Sequence, residues 1–241
     1  YNGTEPLSRY LKTQFAREKK IGSRDRKAIA SCCYAYYRCW PWLGSDLSDE
    51  RLLQSLYLTH QDTFGFLAAF HPHWDASLAL ADKLNNLQPD VFSPEWTNAL
   101  SSAISGRLYL ESLLVQPGMF LRLRPGKEKS VVRRLEAAGV AFRLHGAVTV
   151  ELPAKTPVEE YITLNRDAVV QDWSSQEVFS NLLSFVNPGQ SPMPVWDVCA
   201  ASGGKSILLY DLLKGNIQLT VSDVRTSILH NLRKRLSEAG V

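Results

Sequence analysis

The chain has 241 residues, of which 45% are hydrophobic and 21% are charged, as in an ordinary globular protein. No apolar run reaches the length of about 18 residues that a membrane span needs, and the first residues lack a basic-then-apolar signal pattern. We therefore expect a cytoplasmic protein with neither a membrane span nor a secretion signal.

The net charge of +3 hides a segregation of basic and acidic residues along the chain. Residues 1–40 carry nine Lys/Arg against three Asp/Glu, residues 41–112 carry three against nine, and residues 113–170 carry nine against six. Such segregation suits an anionic partner such as RNA, although a solvated charged surface would produce the same counts.

Four cysteines are present, and no two of them have the C-x-x-C spacing of a metal knuckle. We expect neither a metal site nor a disulfide framework. Cys32, Cys33 and Cys39 are predicted to be reduced thiols in a helical core, whereas Cys199 follows a predicted strand.

The first 115 residues are predicted to be helical, because their apolar residues recur at helical spacing. The first helical stretch breaks at Ile21-Gly22 and stops near Pro41. Ser93 is the expected N-cap of the last helix, near Pro94. The predicted helices cover 7–43 in two parts, 49–58, 77–84 and 96–114.

A small α/β segment is predicted next, over residues 116–168. "MFLRLRP", Met119 to Pro125, alternates apolar and basic residues as a half-buried strand does; a helix over 128–139 and a strand pair bent at Gly146 follow. Arg122 and Arg124 share one strand face, where they could meet phosphates or simply be solvated.

The third predicted segment, 169–241, begins with a helix over 174–186 that Asp172 or Ser174 caps and Asn187-Pro188-Gly189 ends. A strand, a turn, a helix, a strand and a helix follow. This order predicts the start of a doubly wound parallel sheet, and hence an α/β fold class. Because the chain starts at Tyr1 and stops early in such a sheet, we expect a fragment.

The turn in "DVCAASGGKS", Asp197 to Ser206, follows the first strand of that sheet. A phosphate-binding P-loop would need a glycine where Cys199 stands. A dinucleotide fingerprint would need G-x-G-x-x-G, but only two adjacent glycines occur. Neither a nucleotide triphosphate nor a dinucleotide is therefore the expected ligand.

The remaining candidate ligand for this turn is a nucleoside without a diphosphate. Asp223 ends the second strand about twenty residues after Gly203, the distance at which a Rossmann-type sheet places a carboxylate on ribose hydroxyls. Asp197 is a candidate partner for an ammonium group. These residues suit S-adenosylmethionine, although Asp223 would also suit a cap of the following helix.

"DVCAASGGKS" resembles the D-x-C-A-A-P-G-G-K-T cofactor motif of the RsmB/Sun family of RNA (cytosine-5) methyltransferases. "AVVQDWSSQEV", residues 168–178, resembles the V-Q-D-x-x-S-Q segment just upstream in that family. "FLRLRP" and its helix are similar to the family's small subdomain, which is like an RNA-recognition motif. "IGSRDRKAIASCCYAYYR", residues 21–38, is similar to its helical N-terminal region, which is related to NusB.

The resemblance implies that S-adenosylmethionine binds at the turn, that Asp223 holds its ribose, and that ribosomal or transfer RNA is the substrate. Ser202 stands where the family usually has proline. The implied cofactor residues are Cys199, Ala200, Ala201, Ser202, Gly203, Gly204, Lys205 and Asp223. From the charge pattern, the RNA-facing residues are predicted to be Arg17, Lys19, Lys20, Arg24, Arg26, Lys27, Arg122 and Arg124.

In the family, a cysteine thiolate adds to cytosine C6 and makes C5 nucleophilic towards the methyl group. The family's two cysteines lie in P-C and T-C-S segments, and neither segment occurs in these 241 residues. We therefore assign no catalytic residue here. The chain is either the RNA-binding and cofactor-binding part of a methyltransferase or a non-catalytic RNA-binding module with a vestigial cofactor fold.

Overall fold

The computed structural model describes residues 1, 3–44, 46–89, 100–154, 156–186 and 191–241, and these have a mixed α/β fold. They form two compact units, Tyr1–Gln116 and Pro117–Val241. The predicted boundary between residues 168 and 169 falls inside the second unit. No helix within the described ranges has both the length and the apolar character needed to cross a membrane.

Helices build the described part of the first unit. Ser48 caps the third of them by accepting a hydrogen bond from the Arg51 N–H, with two acidic residues in the first turn. Cys39, Trp42, Leu58 and Leu114 pack in its core. The helices are α1 (Leu7–Arg17), α2 (Ser23–Leu43), α3 (Asp49–Thr59), α4 (Phe66–Phe70), α5 (Leu80–Leu87) and α6 (Gly106–Leu114).

Three of these helices, α4, α5 and α6, differ from the sequence prediction. α2 passes through Pro41 and ends at Leu43, before Gly44, whose φ of 74° an L-residue rarely adopts. α5 covers Leu80–Leu87 where the prediction was 77–84. α4 was not predicted. The backbone N–H groups of its first two residues, Phe66 and Leu67, donate hydrogen bonds to the Asp62 carboxylate. α6 begins only after Ser105, which caps it; the predicted start around Ser93, Pro94 and residue 96 lies outside the described residues.

A buried lysine closes the C-terminal end of α3. Lys83 Nζ donates to the Tyr57 carbonyl at 2.9 Å and lies 4.6 Å from the centre of the Tyr57 ring. The nearer ring nitrogen of His60 lies 3.1 Å away. Burial lowers the pKa of Lys83 to about 8, against a usual value of 10.5. This lysine therefore satisfies a helix end and is part of the core.

The second unit begins with β1 (Met119–Leu123), α7 (Glu128–Ala137), β2 (Arg143–His145), β3 (Thr149–Leu152) and β4 (Ala168–Val170). The four strands form an antiparallel sheet with the order β2-β3-β1-β4. Its core includes Leu121, Leu135 and Val150. Gly146, at φ 66°, lies in the turn between β2 and β3, where the sequence predicts a bend.

The segment that follows β4 is not the single helix predicted over 174–186. It consists of α8 (Trp173–Gln176), a 3₁₀ turn (Glu177–Phe179) and α9 (Leu182–Phe185). The buried Gln176 side chain donates to the Gln171 carbonyl and accepts from Thr149 Oγ1, and the helix changes geometry directly after it. The predicted stop at 187–189 lies outside the described residues.

A second sheet contains two parallel strands joined through a helix. β5 (Met193–Asp197) leads through a turn to α10 (Gly204–Leu212), then to β6 (Ile217–Val221) and α11 (Thr226–Glu238). β5 and β6 pair in register from Met193↔Ile217 to Asp197↔Val221. This is the order of elements that the sequence predicts for residues 194–241.

Arg122 and Arg124 do not lie on a solvated strand face. They are only 3% and 8% exposed, because α10 covers that face of β1 with Asp211. Arg122 Nη1 lies 2.6 Å from Asp211 Oδ2, and Arg124 Nη2 lies 2.8 Å from Asp211 Oδ1. The prediction that these two arginines face RNA phosphates is therefore wrong.

We predict that Asp211→Asn destabilises the second unit by about 3–5 kcal/mol, because it leaves two buried guanidinium groups without their counter-charge. Urea unfolding is the measurement. Lys234→Gln is the matched control, since the Lys234 side chain is 71% exposed and 3.8 Å from Glu238; it should cost less than about 0.5 kcal/mol. Equal unfolding midpoints for the two variants would contradict the prediction.

Candidate cofactor site

The turn between β5 and α10 is fastened to the end of β6. The Ala200 N–H donates to the Ser222 carbonyl at 3.0 Å, and the Gly203 N–H donates to the Ala200 carbonyl at 2.8 Å. Ala201 and Gly203 have left-handed backbone conformations, with φ of 47° and 83°. The turn thus directs the start of α10 towards the carboxyl ends of both strands.

The two glycines of this turn have different steric requirements. A Cβ on Gly203 would collide with Leu232 Cδ1 of α11, in addition to the strain of its positive φ. A Cβ on Gly204 would meet nothing closer than Gln171 at 3.7 Å, an ordinary contact. Gly203 is therefore required by this turn, whereas Gly204, the first residue of α10, could carry a Cβ in ordinary contact with Gln171.

Asp223 lies directly across from this turn. Its Oδ2 accepts a hydrogen bond from the Ala201 N–H at 3.0 Å, and its Oδ1 accepts from the Arg225 N–H at 3.0 Å. The Arg225 side chain donates to both oxygens, Nε to Oδ1 at 2.9 Å and Nη2 to Oδ2 at 3.0 Å. These bonds from Arg225 hold the pKa of Asp223 well below its usual range.

Asp223 bonds both to the connection that precedes α11 and to the glycine turn. Its bond to the Arg225 N–H belongs to the turn that leads into α11, although the N-cap residue of α11 is Arg225. Its bond to Ala201 belongs to the glycine turn. The Arg225 side chain is 58% exposed, so it can leave the carboxylate without disturbing a packed core.

Asp197, the expected ammonium partner, ends β5 and accepts a hydrogen bond from Ser206 Oγ at 2.6 Å. Ser206 is buried in the first turn of α10. This bond ties the strand end to the helix. Asp197 and Asp223 therefore place two carboxylates at the carboxyl ends of neighbouring parallel strands.

A polar network that runs from Arg124 through Asn165 to Arg235 supports the turn. Arg235 Nη1 of α11 donates to the Ser202 carbonyl at 2.9 Å, and its Nε donates to Asn165 Oδ1 at 3.0 Å. The Asn165 carbonyl accepts from Arg124 Nη1 at 2.6 Å. Ser202 is thus held by its backbone carbonyl.

The residues predicted to bind the cofactor lie together at this turn. Ala200 and Gly203 are buried, Ala201, Gly204 and Asp223 are partly exposed, and Cys199, Ser202 and Lys205 are exposed. Sequence reasoning missed Asn165, Arg225 and Arg235. Of these three, only Arg225 could have been found from the local sequence, because it stands two residues after Asp223.

The predicted RNA-facing residues of the first unit surround the connection between α1 and α2. Lys19, Lys20, Arg24 and Lys27 are exposed, as is Arg17 at the end of α1. Arg26 is half-buried and donates through Nε to the Ile21 carbonyl at 2.8 Å. Arg122 and Arg124, the other two residues predicted to face RNA, are buried in the second unit.

The cysteines of the first unit lie among its helices. Burial raises the pKa of Cys32 and of Cys33, and it raises the pKa of Cys39 to about 12. Cys199 is exposed in the turn of the second unit. Across the described ranges, no cluster of three or more His, Cys, Asp or Glu side chains has the arrangement of a metal site.

Comparison with known proteins gives a fold relationship alone. No protein-family model matches the chain, and no curated protein matches it. The crystal structure of PH0851 is similar, with a TM-score of 0.54 and 16% sequence identity. The match covers 98% of this chain and 64% of the PH0851 chain, so this chain spans less than two thirds of that protein's length.

We predict that Gly203→Ala lowers the free energy of unfolding by about 1–3 kcal/mol, because it combines a strained φ with overlap against Leu232. Gly204→Ala is the matched control and should cost less than about 1 kcal/mol, since its Cβ meets only ordinary contacts. Urea unfolding of both variants is the measurement. A loss of stability that is equal in the two variants would contradict this account of the turn.

Proposed function

We propose that this chain is the RNA-binding and cofactor-binding part of an S-adenosylmethionine-dependent RNA (cytosine-5) methyltransferase. The second unit then carries the start of a Rossmann-like, doubly wound methyltransferase sheet, and the first unit contacts ribosomal or transfer RNA. One observation supports the proposal most strongly. The glycine turn after β5 and the Asp223 carboxylate after β6 are joined by the 3.0 Å bond from the Ala201 N–H.

The charges at this edge of the sheet favour a cationic nucleoside over a phosphate. Asp197 ends β5 and Asp223 lies two residues after β6, and Asp223 is ionised at neutral pH because its pKa is held low. Once Arg225 leaves Asp223, the two carboxylates repel a pyrophosphate but attract the ammonium and sulfonium groups of S-adenosylmethionine. A carboxylate also accepts hydrogen bonds from both ribose hydroxyls.

The Arg225 side chain would have to leave Asp223 before a nucleoside could bind there. Its guanidinium donates to both oxygens of Asp223, the atoms that ribose hydroxyls would use. Release of this side chain exposes the carboxylate, while the Ala201 N–H keeps Asp223 Oδ2 in place. Binding in this proposal is therefore an exchange of one set of donors to Asp223 for another.

The bound cofactor would supply an electrophilic methyl group, and the chain's own residues would position it. Attack by cytosine C5 requires a thiolate at C6, which the raised pKa values of Cys32, Cys33 and Cys39 disfavour. Cys199 belongs to the proposed cofactor turn. We therefore assign the nucleophile to none of the four cysteines of these 241 residues.

A non-catalytic RNA-binding module is the second candidate. The observation in its favour is the Asp223 carboxylate, which is saturated by donors from this chain. In such a module the turn would be a structural remnant, and the Arg225 contact would persist. Direct measurement of cofactor binding separates the two candidates.

We predict that the chain binds S-adenosylmethionine and that Asp223→Ala weakens this binding about ten- to a hundredfold, because charge-assisted bonds to the ribose are lost. Isothermal titration calorimetry measures the affinity. Gln218→Ala is the matched control, since Gln218 is exposed at the opposite end of β6. Thermal unfolding of each variant checks that the fold is intact.

The two candidate functions predict different titrations. If S-adenosylmethionine produces no heat of binding with the intact chain, the result favours the non-catalytic module. Binding that survives in Asp223→Ala with unchanged affinity would place the nucleoside elsewhere and contradict the assignment of Asp223.

We further predict that RNA binding depends on the connection between α1 and α2. Replacing Lys19, Lys20 and Lys27 by glutamine should reduce the slope of log affinity against log salt concentration by about two units, if each lysine meets one phosphate. The matched control replaces Lys127, Lys129 and Arg133 by glutamine. These residues are exposed in the second unit, and their replacement changes the net charge by the same amount. Equal slopes for both triple variants would contradict the prediction.

A further inference from the structure

A groove lies between α1 and α2 within the first unit. It has a volume of about 470 Å³, in the range of about 300–1,000 Å³ typical of small-ligand pockets. Both helices contribute side chains at a spacing of three or four residues, so each presents one face to the groove. The lining includes Leu11, Lys12, Phe15, Arg26, Ala30 and Tyr34.

The floor of the groove is apolar and its margins are basic. Leu11 is buried, and Phe15 and Ala30 are partly buried. Tyr34 keeps 41% of its surface exposed, a large aromatic area for a helix surface. Lys12 is exposed at the margin.

Arg26 is oriented before any ligand arrives. Its Nε donates to the Ile21 carbonyl at 2.8 Å, and its guanidinium carbon lies 5.9 Å from the centre of the Phe15 ring. A guanidinium held at two points loses little conformational entropy when it meets an anion. The Arg26 guanidinium therefore lies over the Phe15 ring, and a cation and an aromatic ring stand together at one end of the groove.

The charge of the adjoining segment indicates the class of ligand. Residues 17–27 carry six Lys/Arg against two Asp/Glu. This basic segment leads directly into the groove along the chain, and it suits a polyanion that continues beyond the groove.

We propose that the groove between α1 and α2 receives an unstacked base of single-stranded RNA, which stacks against Phe15 and Tyr34. Flanking phosphates pair with Lys12 and Arg26, and the strand continues along the basic segment 17–27. Stacking on aromatic rings beside basic groups is how proteins hold unpaired RNA. This inference rests on the proposed RNA partner and adds that the RNA is unpaired at this point.

The test compares two RNAs on four proteins by fluorescence anisotropy at several salt concentrations. The probes are a labelled 12-nucleotide oligocytidine and a blunt RNA duplex of the same length. The proteins are the intact chain, Phe15→Leu, Tyr34→Ala and the control Trp40→Leu. Trp40 is also an aromatic residue of α2, 45% exposed, but it does not line the groove.

Phe15→Leu and Tyr34→Ala should each weaken oligocytidine binding about five- to a hundredfold, with duplex binding and the salt slope unchanged, because each removes a stacking surface and no charge. Trp40→Leu should bind both RNAs as the intact chain does. Circular dichroism melting of each variant shows whether its helices remain folded.

Oligocytidine binding that is unaltered in folded Phe15→Leu and Tyr34→Ala overturns the groove assignment while leaving the RNA partner in place. Equal losses on single-stranded and duplex RNA also overturn it, because a stacking site discriminates between them. An intact chain that binds neither RNA overturns the proposed RNA partner itself.

Discussion

One buried carboxylate, Asp211, joins the two sheets of the second unit. The glycine turn leads into α10, which has Asp211 in its last turn. The guanidinium groups of Arg122, in β1, and of Arg124, just after β1, bind that carboxylate at 2.6 and 2.8 Å. The desolvation of three charges is costly unless all three stay paired. The orientation of α10, and with it the direction in which the turn points, therefore depends on this cluster.

A second electrostatic arrangement prepares the candidate site itself. Asp223 is kept ionised by donors from Arg225 and by the Ala201 N–H, and Arg235 holds the Ser202 carbonyl from the other side. The turn is thus positioned by contacts from α11 and from the strand ends. In the proposed function, nucleoside binding would displace one exposed side chain, Arg225, and the cost of this reorganisation would be low.

Local patterns in the sequence predicted the parallel strand order and the proximity of Asp223 to the glycine turn, because both follow from strand ends that meet at one edge. Alternation in "FLRLRP" could show that Arg122 and Arg124 share a face, but not what covers it. Their partner Asp211 lies 89 and 87 residues further along the chain. Likewise, the break after Gln176 depends on Thr149, a contact across the fold that helical spacing cannot reveal.

Amide shift mapping with S-adenosylhomocysteine tests whether the turn and Asp223 form a nucleoside site. We expect ¹H–¹⁵N NMR shifts to concentrate at Ala201, Gly203, Gly204 and Asp223, and the Arg225 Nε resonance to move as its bond to Asp223 breaks. Shifts confined to other parts of the second unit, or none at millimolar ligand, would contradict it.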